Sequence, residues 1–303
     1  MSSITIGTRG STLALAQATW VKRQLEQQNP QVAVDLRIIK TSGDRFFETP
    51  VLAIGGKGIF VKEIEDALLR SEIDLAVHSM KDLPTELAAG LTIAAVPKRE
   101  DARDALVSRN RLALKDLPES AKVATGSLRR RAQIAHYRSD FSLVPIRGNI
   151  DTRLKKLAAG EMDALVLAAA GLNRIGQEHQ IAEFLDSKVC VSAVAQGALA
   201  LETRDDGALR EELRFMHHQE TYSEVLAERT FLDRLGGGCH VPVGALAKVS
   251  GDRLEMSGVV ADPEGRVLCR GEIVASTSQA AAAGKELAER LLAEGAAAIL
   301  AAG

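Results

Sequence analysis

A single cysteine follows three consecutive glycines in the last third of the chain. Gly236 to Gly238 precede Cys239, and His240 comes directly after it. Because glycine has no Cβ and adopts backbone angles closed to other residues, such a run lets a bulky group approach the sulfur. The pattern indicates an attachment point or a nucleophile at Cys239. A small buried apolar side chain is the alternative, and the neighbouring histidine need not form a catalytic dyad with it.

The other cysteines narrow the interpretation of Cys239. Cys190 stands between two valines and Cys269 follows Leu268, which predicts core strand positions for both. Three cysteines without paired spacing argue against a disulfide framework, a zinc site or a redox motif. The chain opens without a basic start and a long apolar core of the secretory type. We therefore expect a cytoplasmic protein with no metal site.

Arginines concentrate at two expected strand-to-helix junctions, although the chain as a whole has a net charge of -2. The five at these junctions are Arg129, Arg130, Arg131, Arg147 and Arg153, and the only acids between residues 129 and 153 are Asp140 and Asp151. Arginine makes two-pronged contacts with carboxylates and phosphates and stays charged at any working pH. Any one of them alone could be a solvated helix-face residue. Together they predict a ligand with several anionic groups.

Two further segments are open to more than one interpretation. Asp82 stands beside Lys81 after an apolar run, where nearby cations would keep a carboxylate ionised for stabilising positive charge or moving a proton. A turn cap before Pro84 is the alternative, and the local sequence leaves the choice undecided. The glycine-rich stretch around Lys57 lacks the Walker spacing, so we interpret it as a mobile surface loop.

Nucleic acid and membrane are excluded as expected partners. Recognised DNA-binding motifs are absent and aromatic residues make up only 3% of the chain, so stacking platforms for bases would be hard to build. The alanine-rich run after Gln279 is interrupted by charged residues such as Lys285 and Glu289. That run predicts an amphipathic terminal helix rather than a membrane span.

Short β-branched runs alternate with helical patterns up to about residue 200, which predicts βα units around a largely parallel sheet. In the first unit, Ile4 to Ile6 form a strand and Ser11 caps the following helix. Similar junctions follow Val77, Ala124 and Ile146. Because parallel sheets bind ligands beyond the carboxyl ends of their strands, these junctions are the expected sites of binding.

The last part of the chain has a different order of elements. From about residue 218 the pattern predicts a helix from Thr221 to Leu235, three alternating strands and a final helix, an antiparallel α+β domain. A turn at Asp262 to Gly265 joins the last two strands. A charged stretch from Pro97 to Asp101 predicts a domain crossing.

Seven segments resemble, in order and along nearly the whole chain, the porphobilinogen deaminase family, also called hydroxymethylbilane synthases, of tetrapyrrole biosynthesis. The segments are residues 7–11, 41–44, 55–60, 78–84, 126–130, 146–153 and 237–242. The resemblance implies an α/β fold with two periplasmic-binding-protein-like (type II) domains around a cleft, plus a C-terminal α+β domain with a three-stranded antiparallel sheet. It also implies three domains: residues 1–98 with 199–217, residues 99–198, and residues 218–303.

The resemblance further implies a transferase of heme biosynthesis. Such an enzyme joins four porphobilinogen molecules head to tail on a covalent dipyrromethane primer with loss of ammonia, and water then releases hydroxymethylbilane. Cys239 matches the thioether position and Asp82 the catalytic carboxylate. The remaining implied contacts to the cofactor are Ser79, Lys81, Asp82, Ser127, Arg129, Arg130 and Arg153. Those to the substrate are Arg9, Ser11, Lys57, Phe60, Arg147, Arg153 and Arg174.

Two other hypotheses stay open at this point. A two-lobed anion-binding or sensor protein without catalysis is compatible with the fold, since fold does not imply function. A thiol hydrolase that uses Cys239 and His240 would have a free, rapidly alkylated thiol, whereas the deaminase hypothesis requires a blocked one. We expect a monomer whose only partner is the small-molecule substrate porphobilinogen, and a hand-over of product to the next enzyme of the pathway is left open.

Overall fold

The computed structural model describes residues 3–42, 61–236 and 242–302. They belong to two compact units, Met1–Arg99 with Ala198–Tyr222, and Glu100–Gly197 with Ser223–Gly303. The division into three domains with the limits given above stays a prediction. Among the described residues, no helix is both long enough and apolar enough to span a membrane.

The first unit is built around one five-stranded sheet. Its strands are β1 (Ser3–Thr8), β2 (Ala33–Ile38), β3 (Leu75–Ser79), β4 (Leu91–Ala95) and β10 (Leu199–Arg204), and its helices are α1 (Thr12–Gln28), α2 (Lys62–Leu69) and α6 (Arg210–Leu213). The strand order is β2-β1-β3-β10-β4. Only β10 runs antiparallel to its neighbours. The predicted, largely parallel sheet is therefore present, with one reversed strand.

Both faces of this sheet are buried, as expected where crossover helices cover a parallel sheet. Successive side chains of a strand point to opposite faces. Leu75 and Val77 of β3 accordingly pack in one apolar cluster with Val21 of α1, whereas Ala76 packs in another cluster with Leu68 of α2. This packing fixes the carboxyl end of β3, where the sequence places Asp82.

The second unit repeats this arrangement. Its sheet contains β5 (Asp104–Ser108), β6 (Lys122–Ala124), β7 (Ser142–Val144), β8 (Ala164–Ala168) and β9 (Glu183–Phe184), with helices α3 (Leu128–Tyr137), α4 (Ile150–Ala158) and α5 (Ala169–Arg174). The strand order is β7-β6-β8-β5-β9, and β5 is the strand that runs antiparallel to its neighbours. In each sheet the reversed strand thus lies second from one edge.

The rest of the second unit is antiparallel and confirms the predicted fold class. Helix α7 (Gln219–Arg234) begins in the first unit and leads into β11 (Val243–Ser250), β12 (Arg253–Ala261) and β13 (Leu268–Ser276), followed by α8 (Ala280–Leu291) and α9 (Ala297–Ala302). The three strands form their own sheet. The expected turn closes with the Gly265 N–H donating to the Asp262 carbonyl over 3.0 Å.

Three expectations need correction. Cys190 is buried, but it follows a turn rather than lying on a strand. Cys269 does lie on β13 but is only half-buried. The terminal helix is not continuous, because a π-helical turn at Leu292–Ala296 contains Gly295 with φ 118°, and this separates α8 from α9. Glycine tolerates that positive φ because it has no Cβ.

Candidate anion-binding and catalytic site

The first set of candidate residues lies where β1 and β3 end. These two strands are parallel neighbours, with Ile6 opposite Leu75 and Gly7 opposite Ala76. Their following turns therefore meet at one edge of the sheet. The turns form a concavity, which is lined by Arg9, Ser11, Leu13, Ala14, Gln17, Val61, Ile64, Val77, His78, Ser79 and Asp82.

Helix α1 begins in this concavity with the predicted cap. The Ser11 hydroxyl accepts a hydrogen bond from the Ala14 N–H over 3.3 Å. One turn further along, the buried Gln17 donates from Nε2 to the Ser79 hydroxyl over 2.8 Å. Gln17 was not among the predicted site residues, since a glutamine inside a helical pattern carries no local signal. Its contact fixes the position of Ser79 in the wall.

Asp82 closes a one-turn 3-10 helix directly after β3. Met80 anchors this turn, because its side chain is buried and its N–H donates to the Ala198 carbonyl over 3.0 Å. Lys81 and Asp82 are both exposed. The arrangement presents a solvent-accessible carboxylate in a concavity that also contains Arg9 and the Ser11 hydroxyl. Such a carboxylate can accept N–H hydrogen bonds and stabilise positive charge.

The second set of candidate residues lies at the equivalent edge of the second sheet. Strands β6 and β7 are parallel neighbours, and α3 and α4 begin just beyond them. Ser127 caps α3 by accepting from the Arg130 N–H, and Asn149 caps α4 by accepting from the Thr152 N–H. A Cβ on Gly126 would lie only 2.7 Å from the Ile146 carbonyl oxygen, so the two loops approach closely. Two helix N-termini therefore lie together, which favours anions.

Arg129 and Arg130 are buried and share one carboxylate. Asp104, at the start of β5, accepts from Nη1 of Arg129 over 2.7 Å and from Nε of Arg130 over 2.9 Å. Burial alone would raise the pKa of Asp104, but the two guanidinium charges outweigh it and hold that pKa well below its ordinary value. Gln196 donates a further 2.8 Å hydrogen bond to the same carboxylate.

This network also explains the burial of Cys190. Its thiol donates to Asp104 over 3.2 Å and contacts Nη1 of Arg129 at 3.3 Å. Burial and then the neighbouring Asp104 charge raise the pKa of Cys190 to about 12. A thiol with so high a pKa is protonated and inert at neutral pH. Cys190 therefore belongs to the internal network.

Arg153 is a partly buried cation without a carboxylate partner among the described residues. Its Nε donates to the Gly148 carbonyl over 2.8 Å. Burial, and then the positive charges of Arg130 and Arg147, lower its pKa to about 10. A buried cation surrounded by other cations is unfavourable unless an anion joins it. The site therefore has the electrostatic character of an anion-binding pocket.

The other predicted contacts are distributed around these two sets. Arg147 is exposed at the start of its loop, and Arg174 ends α5 with Nη2 donating to the Gly197 carbonyl over 2.7 Å. Burial lowers the pKa of Arg174 to about 10, although the Glu100 charge acts in the opposite direction. Lys57, Phe60, Cys239 and His240 lie outside the described residues. No group of three or more potential metal ligands occurs within residues 3–42, 61–236 and 242–302.

The sequence patterns did not identify Asp104 as the partner of Arg129 and Arg130, or Glu202 as the partner of His78. Asp104 lies 25 residues before Arg129, and Glu202 lies 124 residues after His78. The only available signal was a single acid within an otherwise apolar run, as in Asp104-Ala-Leu-Val and Leu201-Glu202. Buried charges are almost always paired, so such an acid points to an unidentified partner.

Comparison with known proteins places the chain in a family. The model described as porphobilinogen deaminase, dipyromethane cofactor binding domain, matches residues 4–212, and that of the porphobilinogen deaminase C-terminal domain matches residues 222–293. The chain belongs to the porphobilinogen deaminase family. This membership supports the enzyme hypothesis and the dipyrromethane cofactor over the non-catalytic alternative.

Individual family members are similar over nearly their full length. The porphobilinogen deaminase of Trichlorobacter lovleyi is 49% identical over 296 residues, covering 97% of this chain and 95% of the relative. That of Geobacter metallireducens is 48% identical, covering 98% and 93%. That of Syntrophus aciditrophicus is 49% identical, covering 95% and 94%.

Proposed function

We propose that this porphobilinogen deaminase family member is a hydroxymethylbilane synthase, the transferase that joins four porphobilinogen molecules on a dipyrromethane primer. The observation that carries the proposal is the partly buried Arg153. Arg153 lies near the cations of Arg130 and Arg147 and beside the N-termini of α3 and α4, an arrangement that suits a ligand with several carboxylates. Each pyrrole of the primer and of the substrate brings two carboxylate side chains. The chemistry of the donor set therefore fits this ligand class.

The residues proposed to hold the primer are those whose types suit a carboxylate-bearing pyrrole chain. They are Ser79, Lys81, Asp82, Ser127, Arg129, Arg130 and Arg153, with Cys239 forming the thioether. When bound, the primer supplies the ring carbon to which the first substrate is added. Asp104 positions Arg129 and Arg130, because both guanidinium groups bind its carboxylate.

The residues proposed to bind substrate are Arg9, Ser11, Lys57, Phe60, Arg147, Arg153 and Arg174. The arginines and Ser11 would bind acetate and propionate groups, for which charge-assisted hydrogen bonds are suited. Asp82 would accept hydrogen bonds from pyrrole N–H groups and stabilise the positive charge that develops there. The exposure of Asp82 beside Arg9 and Ser11 supports these roles.

The primer hypothesis is tested by the intact mass of the purified protein under denaturing conditions, followed by peptide mapping. We expect an added mass of two deaminated porphobilinogen units on Cys239. Cys239→Ser should lack it, whereas Cys269→Ser, the matched control in a half-buried strand position, should keep it. A Cys239 that stays unmodified after incubation with porphobilinogen, in an inactive protein, would instead favour a binding protein.

The role of Asp82 is tested by Asp82→Asn. The substitution removes the charge but keeps the shape, so the protein should fold while kcat falls by about a hundredfold or more. Asp116→Asn is the matched control, since Asp116 is also an exposed aspartate that ends a one-turn 3-10 helix. Ammonia release from porphobilinogen at a near-normal rate in Asp82→Asn would remove Asp82 from the proposed role.

The cysteines of the chain support a proposal for its location. We expect the protein to act in the cytoplasm, because three cysteines without paired spacing suit a reducing compartment. We also expect it to act as a monomer. Porphobilinogen remains the expected partner. Hand-over of the product to the next enzyme of the pathway stays a prediction.

A further inference from the structure

A buried histidine and a buried glutamate lie directly behind the Asp82 concavity. Nε2 of His78 is 3.0 Å from Oε2 of Glu202, and the two side chains are 5% and 0% exposed. Strands β3 and β10 pair with Ala200 opposite His78 and Glu202 opposite Ala76. Because alternate residues of a strand share a face, His78 and Glu202 are diagonal neighbours on one face of the sheet.

The other ring nitrogen of His78, Nδ1, does not bond to Glu202. His78 lines the same concavity as Arg9, Ser79 and Asp82. Within the described part of the chain, the only hydrogen bond of the ring is that of Nε2 to Glu202. Because Nε2 is directed to Glu202, Nδ1 is the ring nitrogen left for a group in the concavity.

A second carboxyl group, that of Glu65, lies near the His78–Glu202 pair. Glu65 of α2 faces both members, and burial and then the negative charge of Glu202 raise its pKa. Oε1 of Glu65 and Oε1 of Glu202 are buried and have no hydrogen-bond partner among the described residues. A positive charge that forms on the His78 ring is stabilised by the buried carboxylate of Glu202 beside it.

The reaction requires a group that receives a proton. Each condensation replaces a ring C–H bond with a C–C bond and expels the amino group, so one proton leaves carbon and one proton departs on ammonia. We propose that His78 is the side chain of the Asp82 concavity that receives this proton at Nδ1, with Glu202 as its positioning residue. The inference rests on the role proposed above for that concavity.

The proton transfer balances within these residues. Before transfer, Nε2–H donates to Glu202 and Nδ1 has a free lone pair. After transfer the ring carries one positive charge, which the Glu202 carboxylate balances, and loss of the proton from Nδ1 to ammonia or water restores the neutral ring. A carboxylate that fixes the tautomer of a histidine and stabilises its charged form is an established catalytic arrangement. Among the described residues, the other ionisable groups near His78 are Glu65, and Arg9 and Asp82, which line the same concavity.

The orientation is tested by nitrogen NMR of the holoenzyme with ¹⁵N-labelled histidine, in which the His78 signal is assigned by its loss in His78→Gln. We expect the neutral ring to carry its proton on Nε2 and to take up the second proton on Nδ1 as the pH falls. In Glu202→Gln the doubly protonated form should be missing at pH values where the wild type shows it. A neutral ring with its proton on Nδ1 would overturn the proposal.

The catalytic consequence is tested by kinetics over a range of pH. For His78→Gln and Glu202→Gln we expect kcat to fall by about tenfold or more, with KM changed less than about threefold. His78→Gln should also lose the rise of kcat from acidic to neutral pH that a neutral imidazole acceptor produces. His217→Gln is the control, because His217 lies in the same unit but not in the lining of the concavity, and its Nδ1 accepts a hydrogen bond from the Val96 N–H.

The result distinguishes this inference from the proposed function. If the variants lose only stability and keep the wild-type pH profile of kcat, the pair is structural and the proposal fails. If instead Asp82→Asn retains activity, the role of Asp82 fails, while the nitrogen spectra of His78 still report its tautomer and protonation independently.

Discussion

At the scale of single residues, the most consequential contact is the one that the sequence did not reveal. The arginine cluster was expected to face a ligand, yet Arg129 and Arg130 both bind the buried Asp104. Two cations and one anion leave a net positive charge, to which Arg153 and Arg147 add. Among the described residues, the site therefore combines two arginines that share one carboxylate with two others, Arg147 and Arg153, that have no carboxylate partner.

Replacing Asp104 should destabilise the protein strongly. Asp104→Asn leaves two buried guanidinium groups without a carboxylate, a change that costs about 3–5 kcal/mol in comparable buried pairs. Urea unfolding at pH 7 measures the loss. Asp140→Asn serves as the control, since Asp140 pairs with Arg138 at the surface and its removal should change little.

The lowered pKa of Asp104 predicts that the effect of Asp104→Asn on stability depends on pH. The pKa of Asp104 is lowered in the folded state, so its contribution is present above the unfolded aspartate value of about 3.9 and is lost as the pH falls. The difference in stability between wild type and Asp104→Asn should shrink by up to about 1.4 kcal/mol per pH unit below pH ~4. Urea titrations at decreasing pH check this, and a constant difference would contradict the ion pair.

Replacing Arg153, unlike replacing Asp104, should not destabilise the apoprotein. Burial lowers its pKa, so the folded apoprotein holds this charge at a cost. Arg153→Met should leave the unfolding temperature of the apoprotein unchanged or raise it, while the amount of bound primer, read by intact mass, falls several-fold. Lys155→Met on the exposed side of α4 is the control and should keep the primer. A less stable apoprotein with full primer content would contradict an anion-binding role.

At the scale of elements, the β12–β13 turn fits closely against α3, the helix that carries Arg129 and Arg130. Gly265 has φ +74°, and a Cβ there would lie 2.2 Å from the Ala132 carbonyl oxygen. The Gly265 carbonyl also lies 3.0 Å from Nδ1 of His136. A turn that contacts the helix backbone this closely fixes the C-terminal sheet against the helix that begins at the anion site.

Gly265→Ala and Gly251→Ala separate backbone strain from this contact. Gly251 has φ +63° in the β11–β12 turn, but a Cβ there would meet nothing within 4 Å. Gly251→Ala should cost only the strain of a positive φ, about 1–2 kcal/mol. Gly265→Ala should cost about 1–3 kcal/mol more, because the clash adds to the strain. Thermal unfolding of both variants measures the two losses of stability. Equal losses would show that the β12–β13 turn can move away from α3 without cost.

At the scale of the whole molecule, the second unit contains both the arginine-rich sheet and the antiparallel sheet. Glu228 of α7 connects them, because its two carboxylate oxygens accept from the Ala195 N–H over 2.6 Å and from the Ala247 N–H over 2.8 Å. The Ala245 N–H also donates to the Ser192 carbonyl over 2.9 Å. These contacts predict that residues 100–197 and 223–303 unfold together.

Glu228→Gln tests this cooperativity. The amide can accept only one of the two N–H groups and faces the other with its own donor, so we expect a loss of about 2 kcal/mol. Scanning calorimetry should show the transition that contains both sheets moving as one. Glu286→Gln on the exposed face of α8 should not move it. A separate, lower transition for the C-terminal sheet alone would show that the two parts unfold independently.

The order of elements and the location of the chemistry could be predicted from the sequence because their signals are local. The alternation of strands and helices, the Ser11 cap and the Asp262 to Gly265 turn each depend on neighbouring residues. The arginines were identified because strand ends followed by charged residues mark ligand sites in α/β sheets. The same pattern made Asp82 a candidate, but its catalytic role was implied only by the resemblance to the family. Cys239 was identified from the three glycines before it, whereas Lys57 and Phe60 were identified through the resemblance to the family, and the roles of all three stay predictions.

Only the tertiary structure decided which charges are paired. The Asp104 pair and the His78–Glu202 pair are formed where a reversed strand, β5 or β10, is inserted beside a parallel one. Strand order depends on packing over the whole unit, so sequence separations of 25 and 124 residues gave no local sign of either contact. The same packing made Cys190 an internal partner rather than a strand residue. Sequence patterns therefore determined where the chemistry is, and the folded sheets determined which groups are available for it.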